Sequence, residues 1–360
     1  FQKRSVERLF FSFGNFPQKN EPCLKEKKMK KSIILFLIIV CLLTVPVFGY
    51  AKEAPHHVLI ATSGSASSYY LCSQAMWKVI NKYSSDVVVG TLVETGGSYD
   101  ECNRVGVMKV ADIGEQTAMG AIQELYVGAG PFKKAHPELR MLFADVMGLY
   151  PFCVRVAANI NKIEDLDGRL YNPGPPGSGE EVLTRSALKA LGIKPKYRPS
   201  SVGDAVRAMK NRQIVGYTKF CAPDSLDASM MDIATAQKIT WIGFTKEQTK
   251  KISMINPLFY WYKVEKGTVK RLPEVSGWFI ATVLTGFTTT KLPQIVAYRI
   301  VRDIFEHMNE VLVAYPKWGI GIGTNVKDQI KFFSEVKGMP PMHAGVIQYW
   351  EELGFKVPSK

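Results

Sequence analysis

The chain has 360 residues, room for two domains of ordinary size. With 46% hydrophobic, 11% aromatic and 22% charged residues it can bury a real core, which excludes a mainly disordered protein. Nine basic and three acidic residues fall in residues 1–51, so the remainder holds 37 basic against 29 acidic residues, or +8; no basic stripe is interleaved with aromatics, and no nucleic-acid partner is expected.

Lys27, Lys28, Lys30 and Lys31 precede an uncharged apolar run from Ile33 to Leu43, and small residues follow at Gly49 and Ala51. A basic end, a short apolar stretch and a small-residue cleavage site predict a secretory signal peptide over 29–51, cut near Ala51. Synthesis is expected to begin at Met29, with residues 1–28 as upstream sequence, and the mature protein is expected to be periplasmic or otherwise extracytoplasmic. An uncleaved anchor extending to Phe48 across Pro46 is the alternative. Cleavage leaves Cys72, Cys102, Cys153 and Cys221. Their wide spacing is no disulfide scaffold, and the absence of any Cys-x-x-Cys pair argues against a zinc site. Buried thiols are the expectation, although an oxidising compartment would allow one disulfide.

Strands and helices then alternate. Val58-Leu59-Ile60-Ala61 reads as a buried strand, and Tyr69, Cys72, Met76 and Val79 fall at helical spacing. A β-branched run spans Val87 to Val93, followed by a short helix with Cys102, Val105 and Met108 on one side. Ala111 to Gly114 and Met141 to Ala144 are further short strands. Val154 opens a second unit, with a strand at Arg169-Leu170-Tyr171 and a helix from Glu180 to Leu191 that stops at Gly192, the expected αL terminator. Ser201 and Asp204 form a capping box, and strands at Ile214 to Thr218 and Ile239 to Phe244 complete that unit. Trp278 to Leu284 is one more strand, ahead of one long amphipathic helix through Val296, Ile300, Ile304, Met308 and Val311 and a last helix from His343 to Leu353. This order predicts an α/β protein of parallel sheets with helices on both faces. Without a Pro/Ser-rich linker, two lobes joined by crossing strands fit better than two separate beads. The first lobe is expected at 52–152, the second at 153–245, and a return to the first over 246–360.

Ligands of open α/β sheets bind beyond the carboxyl ends of strands. Three such turns are built of small residues. The first runs through Gly64, Ser65, Ala66, Ser67 and Ser68 to Tyr69 and Tyr70. The second is Thr95, Gly96, Gly97 and Ser98. The third is Gly174-Pro175-Pro176 followed by Gly177, Ser178 and Gly179, with Glu180 at its border. Small residues admit a ligand to the backbone, and helix N-termini offer unpaired N–H groups and positive dipole charge. Gln116 adds an amide, Lys219 a counter-charge beside Phe220, and Arg155 a second cation. Together they describe a site for a small carboxylate. No dinucleotide fingerprint, P-loop, nucleophile elbow or zinc-protease helix occurs, so neither a cofactor, a metal nor catalysis is expected. The five histidines are placed for capping and core roles.

The Gly/Ser loop before Tyr69-Tyr70, Thr95-Gly96-Gly97-Ser98, Ala111-Asp112-Ile113-Gly114-x-Gln116, Leu149-Tyr150-Pro151, Ile163-x-Asp165-Leu166-x-Gly168, Gly177-Ser178-Gly179 and His343-x-Gly345-Val346-Ile347-x-Tyr349 follow one another in an order that resembles the TAXI family. These are solute-binding proteins of tripartite ATP-independent periplasmic (TRAP) transporters. The resemblance implies a two-lobed periplasmic-binding-protein-like fold of the second topological type, with two crossing strands at the hinge. It also implies delivery of a small organic acid or a glutamate-like amino acid to a TRAP-type membrane permease. The chain departs from the family pattern at Ala66-Ser67-Ser68, at Glu180 where a Thr is common, and over Arg212 to Phe220. A monomer is expected, because lobes that close on a ligand need free hinge motion. Two other readings are a membrane-anchored ligand sensor serving a signalling partner and an enzyme on the same fold.

Overall fold

The structure is a computed structural model that describes Met29, residues 54–255 and residues 259–356. The remainder of the expected signal segment, its cleavage point and residues 1–28 lie outside the described residues. Among the described residues no helix is long and apolar enough to cross a membrane.

Two mixed sheets form the two lobes. The first lobe begins with β1 (His56–Thr62), β2 (Val88–Glu94), β3 (Ile113–Ala118) and β4 (Leu139–Leu149). The chain then crosses at Tyr150-Pro151 into β5 (Phe152–Arg155), β6 (Leu170–Asn172), β7 (Lys196–Tyr197), β8 (Gly216–Thr218) and β9 (Ile239–Ile242), which make the second sheet in the order β7-β6-β8-β5-β9. It returns through β10 (Tyr260–Val264) and β11 (Gly277–Thr289), giving a first sheet of order β10-β11-β3-β1-β2 with β4 also paired to β11. The expectation of parallel sheets needs correction. β1 pairs in parallel with β2 and β3, but β11 runs antiparallel to β3, β4 and β10, and β5 runs antiparallel to β8 and β9. The two reversed strands lie where the chain passes between lobes, and a strand entering a sheet from its neighbour arrives in the opposite sense.

β11 also couples the lobes. Near its start Trp278 exchanges backbone hydrogen bonds with Phe244, beyond β9, while the Ile280 carbonyl accepts from the Tyr150 amide at 2.8 Å. Beyond β9 the helix Lys246–Ile255 stays with the second lobe: it packs on the helix Gly179–Leu191, and Gln248 Nε2 donates to Glu164 at 2.6 Å. The second lobe therefore holds the chain past residue 245.

Helix starts follow local chemistry. Ser67, Ser178, Ser201 and Asn325 each accept a first-turn amide, and His343 does the same for the last helix through Nδ1. The last helix, Ala344–Glu352, therefore begins one residue after His343, whose Nε2 lies 3.0 Å from the Leu292 carbonyl. Cys72, Cys102, Cys153 and Cys221 are free and buried. Two helices differ from expectation. After Ser98–Cys102 the chain makes a π turn, Asn103–Val107, closed by Met108 N on Asn103 O; its extra residue swings Met108 out to 61% exposure while Cys102 and Val105 stay buried. The long C-terminal helix is two, Gln294–Glu306 and Met308–Ala314, because His307 leaves helical geometry and its ring stacks on Tyr83 at 3.5 Å.

The first-lobe core contains acid. Glu115 is fully buried on β3, accepts from Trp77 Nε1 at 2.7 Å, and is pushed by burial up to about 8. A carboxyl whose folded pKa is raised keeps a proton that the unfolded chain has lost, so stability falls as pH rises across that interval. Between pH 5 and 7.5 this group should remove about 1.4 kcal/mol per pH unit. Glu115→Gln should flatten the pH dependence of the unfolding free energy from urea titrations by that slope. Parallel curves for variant and wild type would contradict it.

Candidate functional site

Between the two sheets lies a cavity of about 220 Å³. Its first-lobe wall comes from the ends of β1 and β2, where Ser63, Gly64, Ser67 and the loop Thr95 to Ser98 meet it. Pro175, Pro176, Glu180, Lys219 and Phe220 come from the second lobe, and Tyr150 from the crossing.

Glycine brings the two loops into backbone contact. A Cβ on Gly96 would sit 2.2 Å from the Pro176 carbonyl oxygen, and Gly97, at φ +121°, would place one 3.0 Å from Ser178 Cβ. The Gly177 carbonyl accepts from the Tyr99 and Asp100 amides, each at 3.1 Å. Thr95 is fixed from behind: Oγ1 donates to the Thr62 carbonyl at 2.8 Å and accepts from Gly97 N at 3.0 Å. Beneath it Glu101 accepts from Thr117 Oγ1 at 2.7 Å, and burial pushes its carboxyl up.

The helix N-termini are not the open anion sites that the loops suggested. The second helix start is satisfied by Gly177. The first is met by the second lobe: Ser68 N donates to Asp227 Oδ2 at 3.3 Å, and Ser68 Oγ accepts from Ala228 N at 3.0 Å. The third has Ser178 Oγ accepting from Glu181 N at 3.1 Å and Gly177 N donating to Glu181 Oε2 at 3.0 Å. Lys317 Nζ, bonded to Ser225 Oγ at 2.6 Å, adds another contact between the lobes. The first two starts are met across the seam between the lobes, and the third is capped within the second lobe.

Charge in the cavity is carried by side chains. Lys219 is 4% exposed and donates to Glu180 Oε1 at 3.1 Å; the same oxygen accepts from Phe220 N at 3.3 Å. Burial pulls the Lys219 ammonium down, but the charges of Glu180 and Asp227 and the Glu180 hydrogen bond outweigh it and hold the pKa above its ordinary value. Nζ also lies 5.1 Å from the centre of the Tyr69 ring. Phe220 packs edge-on to Tyr69 at 4.9 Å and against Tyr150 at 5.2 Å, giving the cavity an aromatic wall. Glu94, which accepts from Ser65 N at 3.0 Å, lines the cavity from the first lobe, at the end of β2. An ammonium with spare protons, hydroxyls and two carboxylates can hold a small ligand that has both a negative end and hydrogen-bond donors.

Of the residues singled out by sequence, Gly64, Ser67, Tyr69, Thr95, Gly96 and Gly97 line the cavity, as do Ser98, Gln116, Glu180, Lys219 and Phe220. Ser65 and Ala66 are exposed and Tyr70 half-buried, and none of them lines it. Ser68, Gly177, Ser178 and Gly179 belong to the seam and the caps. Arg155 is not in the wall; its Nε donates to the Ile214 carbonyl at 2.9 Å. Gln116 does not follow a strand end. It sits inside β3 at φ +62°, where Glu115 and Gln116 together oppose Gly286, a β-bulge. Sequence reasoning did not place Glu94, Tyr150, Ser201, Val202 or Leu284 in the wall. Glu94 had a signal, since it stands between the β-branched run Val87 to Val93 and a small-residue loop.

Two α/β lobes around a cavity of this size have the fold of a periplasmic-type solute-binding protein. The chain belongs to the NMT1-like family, whose model matches residues 60–354. Among solved structures it is similar to the periplasmic binding protein BugD, at 11% identity over 84% of this chain and 99% of that one, with a TM-score of 0.50. It is also similar to a Bordetella bronchiseptica RB50 protein, at 16% identity over 84% and 99% with a TM-score of 0.49. A third likeness is to the ligand-binding core of GluR0 from Nostoc punctiforme, at 13% identity over 72% and 98% with a TM-score of 0.44.

Asp227 holds the seam through Ser68 N while Oδ1 accepts from Ser229 N and Oγ. Asp227→Ala should cost about 1–3 kcal/mol and increase the radius of gyration of ligand-free protein in X-ray scattering. Scattering curves that overlay the wild type would show that the seam does not hold the lobes together.

Proposed function

We propose that this protein is an extracytoplasmic solute receptor that holds a small carboxylate, an organic acid or a glutamate-like amino acid, between its lobes. It would release the ligand to a membrane permease. The observation that carries this reading is Lys219, a buried ammonium in the cavity wall that is ion-paired to Glu180. A ligand carboxylate can share that ammonium with Glu180, and an amino group on the same ligand finds Glu94 on the first-lobe wall. Tyr69, Tyr150 and Phe220 cover the carbons between. The ligand thereby touches both lobes and stabilises the closed state over the open one.

In this reading the mature chain starts after Ala51 and works as a monomer, and its permease is of the TRAP type, as the likeness of its loops to the TAXI family suggests. The first lobe, residues 52–152 with the return from β10 onward, and the second lobe, from residue 153 through the helix Lys246–Ile255, serve as the two halves of one hinge system, with no cofactor and no reaction.

Thermal-shift measurements with succinate and L-glutamate test it. Either acid should raise the melting point. Lys219→Met alone leaves Glu180 buried without its partner and should cost about 3–5 kcal/mol. The double variant Lys219→Met/Glu180→Gln should fold and lose the ligand-induced shift. A shift kept in the double variant, or stabilisation by neutral sugars or polyamines only, would overturn the reading.

A further inference from the structure

Gln116 stands between the cavity and a buried acid. Its Nε2 donates to Asp145 Oδ2 at 2.6 Å, and the other Asp145 oxygen accepts from Val146 N at 2.7 Å. Both Asp145 oxygens therefore accept, the pattern of an ionised carboxylate. Asp145 is fully buried, and among the described residues no lysine or arginine forms an ion pair with it. Gln116 is itself 3% exposed and lines the cavity, and its Oε1 is buried with no hydrogen-bond partner among the described residues. That unsatisfied acceptor costs free energy unless something supplies it with a hydrogen.

A glutamine amide has one accepting and one donating end, and turning it by half a revolution exchanges them. With Asp145 ionised, Nε2 must face Asp145 and the accepting end is left over. With Asp145 protonated at Oδ2, the new O–H needs an acceptor, Oε1 turns to take it, and Nε2 is left over as a donor. We propose that Asp145 and Gln116 form a proton-controlled selector, in which the protonation of Asp145 decides whether Gln116 offers the cavity an acceptor or a donor. This rests on the reading of the cavity as a carboxylate site, and it names a specificity-determining residue for it. A carboxylate favours the donating form, so binding takes up a proton and weakens as pH rises.

The titratable groups around Asp145 are all acids. Glu115 on β3, Cys72 on the helix Ser68–Tyr83 and Tyr315 beyond the helix Met308–Ala314 all face it as acids. Burial pushes Asp145 up to about 7, against hydrogen bonds from Val146 and Gln116 that favour its charge. The change of state thus falls where cells live. The β-bulge and the positive φ of Gln116 hold the amide at this junction, since a regular strand residue at this position would point to one face of the sheet or the other.

Two measurements on the full-length mature protein test this. In ligand-free protein, the side-chain NH₂ resonances of Gln116 should titrate together with the Asp145 carboxyl carbon, with one midpoint near 7. In Asp145→Asn they should stay flat between pH 5.5 and 8.5. Gln116 resonances that are flat in the wild type overturn the selector whether or not a ligand is known. In calorimetry with succinate, the dissociation constant should rise up to tenfold per pH unit above the midpoint, with proton uptake seen by comparing buffers of different ionisation heat. Gln116→Asn tolerates the left-handed backbone but is too short to reach Asp145, and it should abolish the pH dependence even if Asp145→Asn folds poorly. The same dependence in Gln116→Asn, or succinate binding without proton uptake, overturns the proposal. Failure of succinate and L-glutamate to bind at any pH would instead count against the carboxylate reading, and the resonance titration would still decide the selector.

Discussion

The Gly177 carbonyl reaches the amides of Tyr99 and Asp100 only because Gly96 and Gly97 carry no side chain. Backbone from one lobe meets backbone from the other there, and the cavity is enclosed by that contact. Small residues in such loops are commonly read as room for a ligand. Here much of that room is used by the opposite lobe, and the helix N-termini give their positive ends to Gly177 and Asp227. A closed cleft that satisfies its own helix ends needs less from a ligand to stay shut, so ligand contacts can be spent on recognition.

Recognition then falls to side chains, and their arrangement has an energetic reason. Burying Lys219 alone would be costly, and Glu180 offsets most of that cost without saturating the three ammonium hydrogens. The pair is close to neutral, so Lys219 and Glu180 together give the cavity wall little net charge. A ligand carboxylate adds to a network already built, at the aromatic wall of Tyr69, Phe220 and Tyr150. Glu94 on the first-lobe wall makes the site two-signed, which favours a ligand with both an acid and a donor over a plain anion.

Much of this was legible in the chain. Alternating apolar runs marked most strands and the longer helices, Gly192 marked a helix end, and the three small-residue turns marked where the lobes face each other. What failed had local causes. Periodicity cannot register a π turn, so the helical spacing puts Met108 on the side of Cys102 and Val105 while the structure turns it out to solvent. A continuous apolar stripe runs through His307, and only the stacking of its ring on Tyr83 breaks the helix there. The direction of β5 and β11 depends on which sheet they enter, and no side-chain pattern encodes that. The strand signal of Ala111 to Gly114 points to Gln116 just beyond it, but the bulge that carries Gln116 inside β3 leaves no mark in composition. Arg155 looked like Lys219 in sequence, a cation beside a strand. They differ in register, and only Lys219 faces the cavity.

The central claim, that the Lys219 cavity holds a small carboxylate between the lobes, is tested most directly by native mass spectrometry of the mature protein taken from its own compartment without refolding. The account predicts a small acid carried at one copy per chain, released on denaturation and absent from the Lys219→Met/Glu180→Gln variant. A neutral sugar or a polyamine in its place, or the same acid retained in full by that variant, would contradict it.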